Sequence, residues 1–583
     1  MVTQKHFLPT TQKEVAALGW DYLDVIIISG DAYVDHSSFG AAVIGRWLEK
    51  QGLKVAIVPQ PNWQDDGRDF KKLGKPRLFF GVTAGNMDSM VNHYTATKRL
   101  RHDDAYTPGN KHGFRPDYAT VVYTRWLKHF FPDTPVVIGG IEASLRRLSH
   151  YDYWSDTLKP SILLDCPADV LVYGMAERPM LDLIRVFSNE NWQENMSQCS
   201  QIAYCRKNVK ELPQDEVLWL HPYEKELKDK RLYGENFVNF ETESNKKFQR
   251  TIVQPYGKQY LIVKPPYPPA TEEEMDSYAL FDVMMNAPHP KYAKRGDIPA
   301  WEMIKNSITI HRGCFGGCSF CAITAHQGRF ISSRSEKSIL SEVKDLADRP
   351  YFKGHISDLG APSANMYRMH GRNQQICNQC FRPSCIFPNI CKNLIINHKP
   401  LVTLYNKASS VGNVKKITIG SGIRYDLLVT DNQQVDSENG LTAYLTEVIG
   451  HHVSGRLKVA PEHTETKVLE KMRKPPFKTF LSFNQRFQKI NRLSGLRQQL
   501  VPYFISAHPM CKMEDMKALH HATQNQHLHI EQVQDFTPTP MTYSTAMFYL
   551  GYDPYTGEKV YSAKDMEEKN RQKQMFFAKN PNR

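Results

Sequence analysis

Short apolar runs rich in β-branched residues recur along the chain, and they restrict it to an alternating α/β architecture. DVIIIS at 24–29, bounded by Asp24 and Gly30, reads as a strand covered on both faces. VAIV at 55–58, RLFFGV at 77–82, VVIGG at 136–140 and DVLVYG at 169–174 repeat its look, with amphipathic segments such as YATVVYTRWLKHFF between some of them. This first block, residues 1–177, is expected to be a doubly wound, Rossmann-like domain with ligand-facing loops at its strand ends. From about Arg178 to Ala300 the pattern dissolves, and 178–300 is expected to be insert and linker. Within it VKPPYPPATEEE stiffens the chain and opens a helix with Thr271 as N-cap. A second alternating block starts at Ser307: ITI, GHISDLG, KKITIGSG, GRLKVAP, LVPYFISAHP and EQVQDFTPTP. Six strands in series with helical crossovers imply, over 301–555, a parallel sheet that is open or curled into a partial barrel, with chemistry at the carboxyl ends. The charged tail, 556–583, is expected to be poorly ordered.

Three thiols stand directly after the strand ITI. In HRGCFGGCSFC, residues 311–321, Cys314, Cys318 and Cys321 have the spacing C-x3-C-x2-C in a chain with 11 cysteines among 583 residues. The N-terminus lacks the apolar core of a signal peptide and no long uncharged apolar stretch occurs, so a cytoplasmic chain without membrane contact is expected. In a reducing compartment clustered cysteines point to metal or catalysis. Zinc normally takes four ligands, and only His326 is near enough to complete such a set. A four-iron cluster held by three thiolates keeps one iron open. Gly313, Gly316 and Gly317 would let the backbone turn tightly around a bulky cluster.

A second group, Cys377, Cys380, Cys385 and Cys391, has the spacing C-x2-C-x4-C-x5-C. Four thiols this close complete either a zinc site or a fully ligated iron–sulfur cluster. Cys166, Cys199, Cys205 and Cys511 have no such spacing and read as packing or surface thiols.

The three-cysteine loop, with Phe320 before its last thiol, resembles the signature of radical S-adenosylmethionine (radical SAM) enzymes. HRGCFGGCSFCAITAHQGRFISSRS, SDLGAPSANMY, SGIRYD, LKVAPEHTE, PYFISAHP and VQDFTPTP, preceded by SGDAYVDHSSFG and VVIGGIEASLRR, look like the YgiQ-type family of that superfamily, over about Tyr22 to Asp553. The resemblance implies a Rossmann-like, cobalamin-binding-like domain followed by a partial (β/α)6 barrel. It also implies a 4Fe-4S cluster on Cys314, Cys318 and Cys321 whose open iron chelates S-adenosylmethionine and cleaves it to a 5′-deoxyadenosyl radical. Phe320 would then contact the adenine. Gly360, in LGAP, stands in place of the superfamily's Gly-Gly-Glu segment, with the glutamate missing and backbone carbonyls left to receive the cofactor's amino group. Ser421 and Arg424 would meet the ribose hydroxyls and the cofactor carboxylate, with pairing of Arg424 to Asp426 as the plainer reading. Glu462, His463 and His508 are candidates for orienting substrate or relaying a proton, against a helix-cap or core role. The second cysteine group leans to an auxiliary cluster, with zinc the alternative. The usual cobalamin mark, D-x-H-x-x-G, fails in register in DHSSFG at 35–40, so cobalamin is not expected.

The resemblance leaves the substrate open. A methylthiotransferase or a cobalamin-dependent methylase on RNA or protein would satisfy it, and a cluster-bearing RNA-binding or scaffold protein is the rival from another class. A net charge of +13 suits a nucleic-acid partner, although scattered surface lysine gives the same balance. A low-potential electron donor such as flavodoxin or ferredoxin is the other expected partner.

Overall fold

The computed structural model describes residues 5–577 apart from 210–211, 213–215 and 529. The chain forms two compact units, Met1–Glu243 with Phe248–Pro268 and Ser277–Lys305, and Ser244–Lys247 with Pro269–Asp276 and Asn306–Arg583. Among the described residues no helix is long and apolar enough to cross a membrane.

The first unit is built on a nine-stranded sheet. Its parallel part comprises β1 (Val25–Ser29), β2 (Val55–Pro59), β3 (Phe79–Thr83), β4 (Val136–Gly139) and β5 (Val170–Val172), in the order 2-1-3-4-5. β1 is buried at every position, which is why its sequence is a continuous apolar run with no alternation. Helices such as Gly40–Lys50 and Ala119–Phe130 cover the faces.

The stretch 178–300 does not behave as a linker. It supplies β6 (Ile202–Arg206), β7 (Val217–Trp219), β8 (Thr251–Tyr256) and β9 (Gln259–Val263), which extend the same sheet in the order 5-6-9-8-7. β8 and β9 form a hairpin around Gly257, whose φ of +55° suits its turn, and β6 pairs antiparallel to both β5 and β9. The long polar segments between these strands include the helix Lys230–Ser244 and conceal the sheet in the sequence.

The second unit carries six parallel strand positions in chain order, the second of them split at Ser357 into two short strands, with helices between successive positions. β10 (Ser307–Thr309) pairs with β12 (Asp358–Gly360), β11 (His355–Ile356) pairs with β13 (Lys416–Ile417), and β14 (Arg456–Glu462), β15 (Gln499–Ser506) and β16 (Gln532–Asp535) form a parallel trio. A bond from Ile419 N–H to the His452 carbonyl, 3.0 Å, joins the two halves. This is a partial (β/α)6 barrel, with Ile308, Leu359, Ile417, Leu457 and Leu500 packed on Val343, Leu404 and Phe483 from the surrounding helices. Thr271 caps its helix as expected, its hydroxyl accepting from Glu274 N–H at 3.2 Å.

The tail also departs from expectation. Met566–Gln574 is a helix, and Gln572, fully buried, accepts from Ala507 N–H at 2.9 Å and donates to the Cys511 carbonyl at 3.2 Å. Its anchors are polar, so a charged composition concealed a docked element. Residues 578–583 lie outside the described residues.

At the carboxyl ends of β1 and β3, where this strand order leaves a crevice, Arg115 fills the space. Its Nη2 donates to Asp31 at 2.8 Å and to Asp104 at 3.3 Å, with all three side chains buried. Burial pushes the Asp31 carboxyl up to about 6 even against that guanidinium. Arg115→Ala leaves two carboxylates buried without a counter-charge. It is expected to cost about 3–5 kcal/mol in urea denaturation, and adding Asp31→Asn should recover part of the loss.

Candidate functional site

The cysteine loop leaves the barrel just after β10. Its three thiols are half-buried and free of disulfides, and the loop closes through a Cys321 N–H bond to the Cys318 carbonyl at 3.1 Å before the short helix Ile323–Gln327. Its glycines admit neighbouring segments into close contact. A Cβ on Gly317, at φ +63°, would run into the Pro383 carbonyl, and one on Gly316 would stand 2.5 Å from Arg424 Nη1. Burial pushes the Cys314 thiol up, opposed by Arg424, and pushes Cys321 up to about 12.

Arg424 reaches this loop from beyond β13. Its Nε and Nη2 fork onto the two Asp426 oxygens at 3.0 and 2.6 Å, and its Nη1 lies 3.3 Å from Cys318 Sγ. The pair with Asp426 is therefore present, but it is buried and not a surface contact. Burial works against the guanidinium charge, and Asp426 with Cys318 more than offsets it, so Arg424 stays cationic.

Gly360 and Ser421 meet at the neighbouring strand end. A Cβ on Gly360 would collide with the Ser421 hydroxyl, which donates to Asp358 Oδ2; Asp358 Oδ1 also accepts from Gly420 N–H at 2.9 Å and Ser421 N–H at 3.1 Å. The Gly360 carbonyl already accepts from Ile310 N–H at 2.9 Å. Asp358, two residues earlier on the same face of β12, is the acidic group at this strand end that the sequence reading passed over. Burial raises its carboxyl pKa.

Glu462 ends β14 in a left-handed conformation, φ +70°, after a register shift against β15. Such a conformation costs a non-glycine residue about 1–3 kcal/mol and is held only by its surroundings. The carboxylate is buried 3.7 Å from Lys474 Nζ, itself buried, and burial raises its pKa against the opposing Lys474 and Arg424 charges. Lys474 Nζ lies 5.8 Å from the Tyr425 ring, whose buried hydroxyl has no hydrogen-bond partner among the described residues. Tyr425 lies inside the phrase SGIRYD behind the more conspicuous Ser421 and Arg424, and Lys474 belongs to no such phrase.

The two histidines face elsewhere. His463 Nδ1 accepts from Glu465 N–H at 3.1 Å, which places the ring proton on Nε2, 3.4 Å from Cys511 Sγ. It is a core side chain at the foot of the helix Thr466–Met472. His508 Nδ1 donates to the Pro509 carbonyl at 2.8 Å, so its Nε2 accepts from Ser544 at 2.7 Å, and Ser544 in turn accepts from Ser319 at 2.7 Å. That directed chain ends inside the cysteine loop, and the Phe320 ring stands edge-on to His508 at 6.1 Å. His508 thus positions the loop through two hydroxyls.

The second cysteine group lies against the first. Cys385 N–H donates to the Phe315 carbonyl at 3.0 Å, and the Ser384 hydroxyl donates to the Gly316 carbonyl at 2.8 Å. Of the remaining thiols, Cys166, Cys199 and Cys511 are buried and Cys205 is half-buried. Among the described residues no three His, Cys, Asp or Glu side chains converge as ligands of one metal ion. Cluster thiolates each take a separate iron and need no such convergence, so the donor set, the loop and the buried cation at Cys318 fit a cluster on Cys314, Cys318 and Cys321. In DHSSFG, Asp35 is paired with Arg46, and His36 accepts from Ser38 N–H at 3.1 Å and packs against Trp301.

The Radical SAM N-terminal family model matches residues 7–307. A UPF0313 protein of Bacteroides thetaiotaomicron is 54% identical, covering 98% of this chain and 94% of its own, and one of Porphyromonas gingivalis is 53% identical, covering 98% and 90%. The chain belongs to the UPF0313 family of radical SAM enzymes. A UPF0313 protein of the archaeon Methanocella arvoryzae is 45% identical over 98% of this chain and 93% of its own. Among solved structures, the radical SAM methyltransferase TsrM of Kitasatospora setae, with cobalamin and a [4Fe-4S] cluster bound, matches with a TM-score of 0.47 at 13% identity, covering 89% of this chain and 77% of that one. The cobalamin-dependent radical enzyme OxsB matches with a TM-score of 0.47 at 10% identity, covering 92% and 57%.

Burial holds His463 and His508 in this UPF0313 enzyme at about 3, below the ordinary imidazole value. A histidine kept neutral in the fold withdraws stability as pH falls from about 6.5 towards 3, because only the unfolded chain then takes the proton. Urea denaturation from about pH 8 to 4 should show a plateau and then a decline below about 6.5, made shallower in His508→Gln by up to about 1.4 kcal/mol per pH unit.

Proposed function

We propose that this UPF0313 enzyme reductively cleaves S-adenosylmethionine at a 4Fe-4S cluster held by Cys314, Cys318 and Cys321, and directs the product radical at a substrate bound in the barrel mouth. The observation that carries this reading is the contact of a fixed, buried cation, Arg424, with Cys318 of the thiol loop, with buried Tyr425 beside it, a buried Glu462–Lys474 pair at the end of β14, and half-buried Asp358 and Ser421 at the ends of β12 and β13. A structural metal site would not need them. When bound, the cluster supplies one electron to the sulfonium, whose carbon–sulfur bond breaks to give methionine and a 5′-deoxyadenosyl radical.

The chain's own residues divide the remaining work. Arg424 is a positioning residue: its Nη1 contacts Cys318, and Asp426 fixes its plane. Asp358 and Ser421 offer a carboxylate and a hydroxyl to polar groups of the cofactor, replacing the side chain that LGAP lacks. Phe320 supplies backbone contact to the adenine. Glu462 and Lys474 form a charged pair with residual hydrogen-bonding capacity, suited to orienting a polar substrate or moving a proton after hydrogen abstraction.

Anaerobic reconstitution with iron and sulfide, then reduction in the presence of S-adenosylmethionine, should yield 5′-deoxyadenosine. Cys318→Ala should yield none. Arg424→Lys, which keeps charge but loses the fork, should slow nucleoside formation about 10–100-fold. A cluster that assembles but cleaves no cofactor under any reductant would bring forward the structural, nucleic-acid-binding reading.

A further inference from the structure

The segment 371–396 runs between β12 and the helix Lys399–Ser409, and its described regular structure is the short helix Gln374–Gln379. An isolated antiparallel bridge between Gly371 and Leu394, with Arg372 N–H on the Asn393 carbonyl at 2.7 Å and Ile395 N–H on the His370 carbonyl at 2.9 Å, ties its two ends, and the stretch between them has little regular structure of its own. Cys377, Cys380, Cys385 and Cys391 all lie on it, drawn together by Cys391 N–H to the Cys385 carbonyl at 2.8 Å and by Asn393 Nδ2 to Cys377 Sγ at 3.3 Å.

Arg329 supplies an independent observation. Its side chain is buried at 4% exposure, donating from Nη2 to the Cys380 carbonyl at 3.0 Å and from Nη1 to the Arg382 carbonyl, with its face on the Phe330 ring. Its Nε is buried with no hydrogen-bond partner, and no carboxylate pairs with it among the described residues. The local sequence offers nothing to balance its charge: from Leu359 to Tyr425 there are nine lysines and arginines and no aspartate or glutamate. A counter-charge strongly favours a guanidinium out of water; Arg147 in the first unit is buried without one, on the Ser144 carbonyl and between the Tyr173 and Phe240 rings. Four neutral thiols provide none, whereas four thiolates on a [4Fe-4S] core provide about two net negative charges.

We propose that Cys377, Cys380, Cys385 and Cys391 hold a second iron–sulfur cluster, fully thiolate-ligated, with Arg329 as its buried counter-cation, and that this cluster passes single electrons to the first. Zinc on four thiolates would carry the same charge but is redox-inert. The direct bonds from Ser384 and Cys385 to the Phe315–Gly316 backbone put the segment on the first thiol loop, where a one-electron carrier is useful. One electron from a low-potential carrier protein reduces the second cluster. The same electron moves to the first cluster and from there enters the sulfonium as its carbon–sulfur bond breaks. This relay rests on the proposed cofactor cleavage; the metal content does not.

The test uses the full chain, reconstituted anaerobically with iron and sulfide in the presence of zinc. The chain should bind about eight iron and eight sulfide, against about four of each in Cys380→Ala/Cys385→Ala and about four in Cys314→Ala/Cys318→Ala. In the Cys314→Ala/Cys318→Ala chain, which isolates the second site, Arg329→Gln should leave the iron in place and lower the midpoint potential, because a positive charge that favours the added electron is gone. Stoichiometric zinc, metal-free thiols or an unchanged potential in that background would overturn the proposal. Loss of iron from the first site alone would count only against the cofactor-cleavage reading. Reduction of the first cluster by reduced flavodoxin should be lost in Cys380→Ala/Cys385→Ala while dithionite still reduces it. Equal reduction by flavodoxin in both chains would refute the relay.

Discussion

Burying a guanidinium is expensive unless fixed charge surrounds it, and that constraint organises the centre of the second unit. Arg424 is answered on one side by Asp426 and on the other by Cys318. Meeting both at once requires the bare backbone of Gly316, a short excursion after β13, and a cysteine loop that arrives in one geometry. The loop is in turn held from beneath by Ser319, Ser544 and His508, and from the side by Ser384 and Cys385. The first unit seats Arg46, Arg115 and Arg146 against Asp35, Asp31 with Asp104, and Asp88, and rests Arg147 on the Ser144 carbonyl and the Tyr173 and Phe240 rings.

Much of this architecture was legible where one residue pattern has one physical meaning. Continuous β-branched runs mark strands covered on both faces, and they located the five parallel strands of the first unit; the barrel strands of the second were marked by shorter runs such as RLKV, where buried and exposed positions alternate. Thr271 followed three residues later by Glu274 marks a helix start, and the helix is there. The extension β6–β9 was hidden because its strands are separated by long polar segments, so 178–300 read as a linker. The tail was hidden because Gln572 and Lys569 are polar residues used as buried anchors.

The candidate site divides along the same line. Thiols at fixed spacing declare themselves, and the strand-end phrases brought Ser421, Arg424 and Glu462 into view. Proximity in sequence did not reveal direction: His463 and His508 follow strands that end at the mouth, yet both rings are turned into the core and committed to Glu465, Cys511 and Ser544. Asp358, Tyr425, Lys474 and Arg329 matter through what they approach in three dimensions. The acid-free stretch from Leu359 to Tyr425 was the one sequence signal for the last of them.

The proposed chemistry depends on three thiols leaving one iron open to S-adenosylmethionine. Pulsed electron–nuclear double resonance on the reduced chain, with cofactor labelled by 15N in its amino group and 17O in its carboxylate, reads that contact directly. In the Cys380→Ala/Cys385→Ala chain, which leaves the first site alone to give a signal, both labels should couple strongly to the cluster spin, with the coupling gone in Cys318→Ala. A reduced cluster whose spectrum does not change on adding the cofactor would contradict the claim.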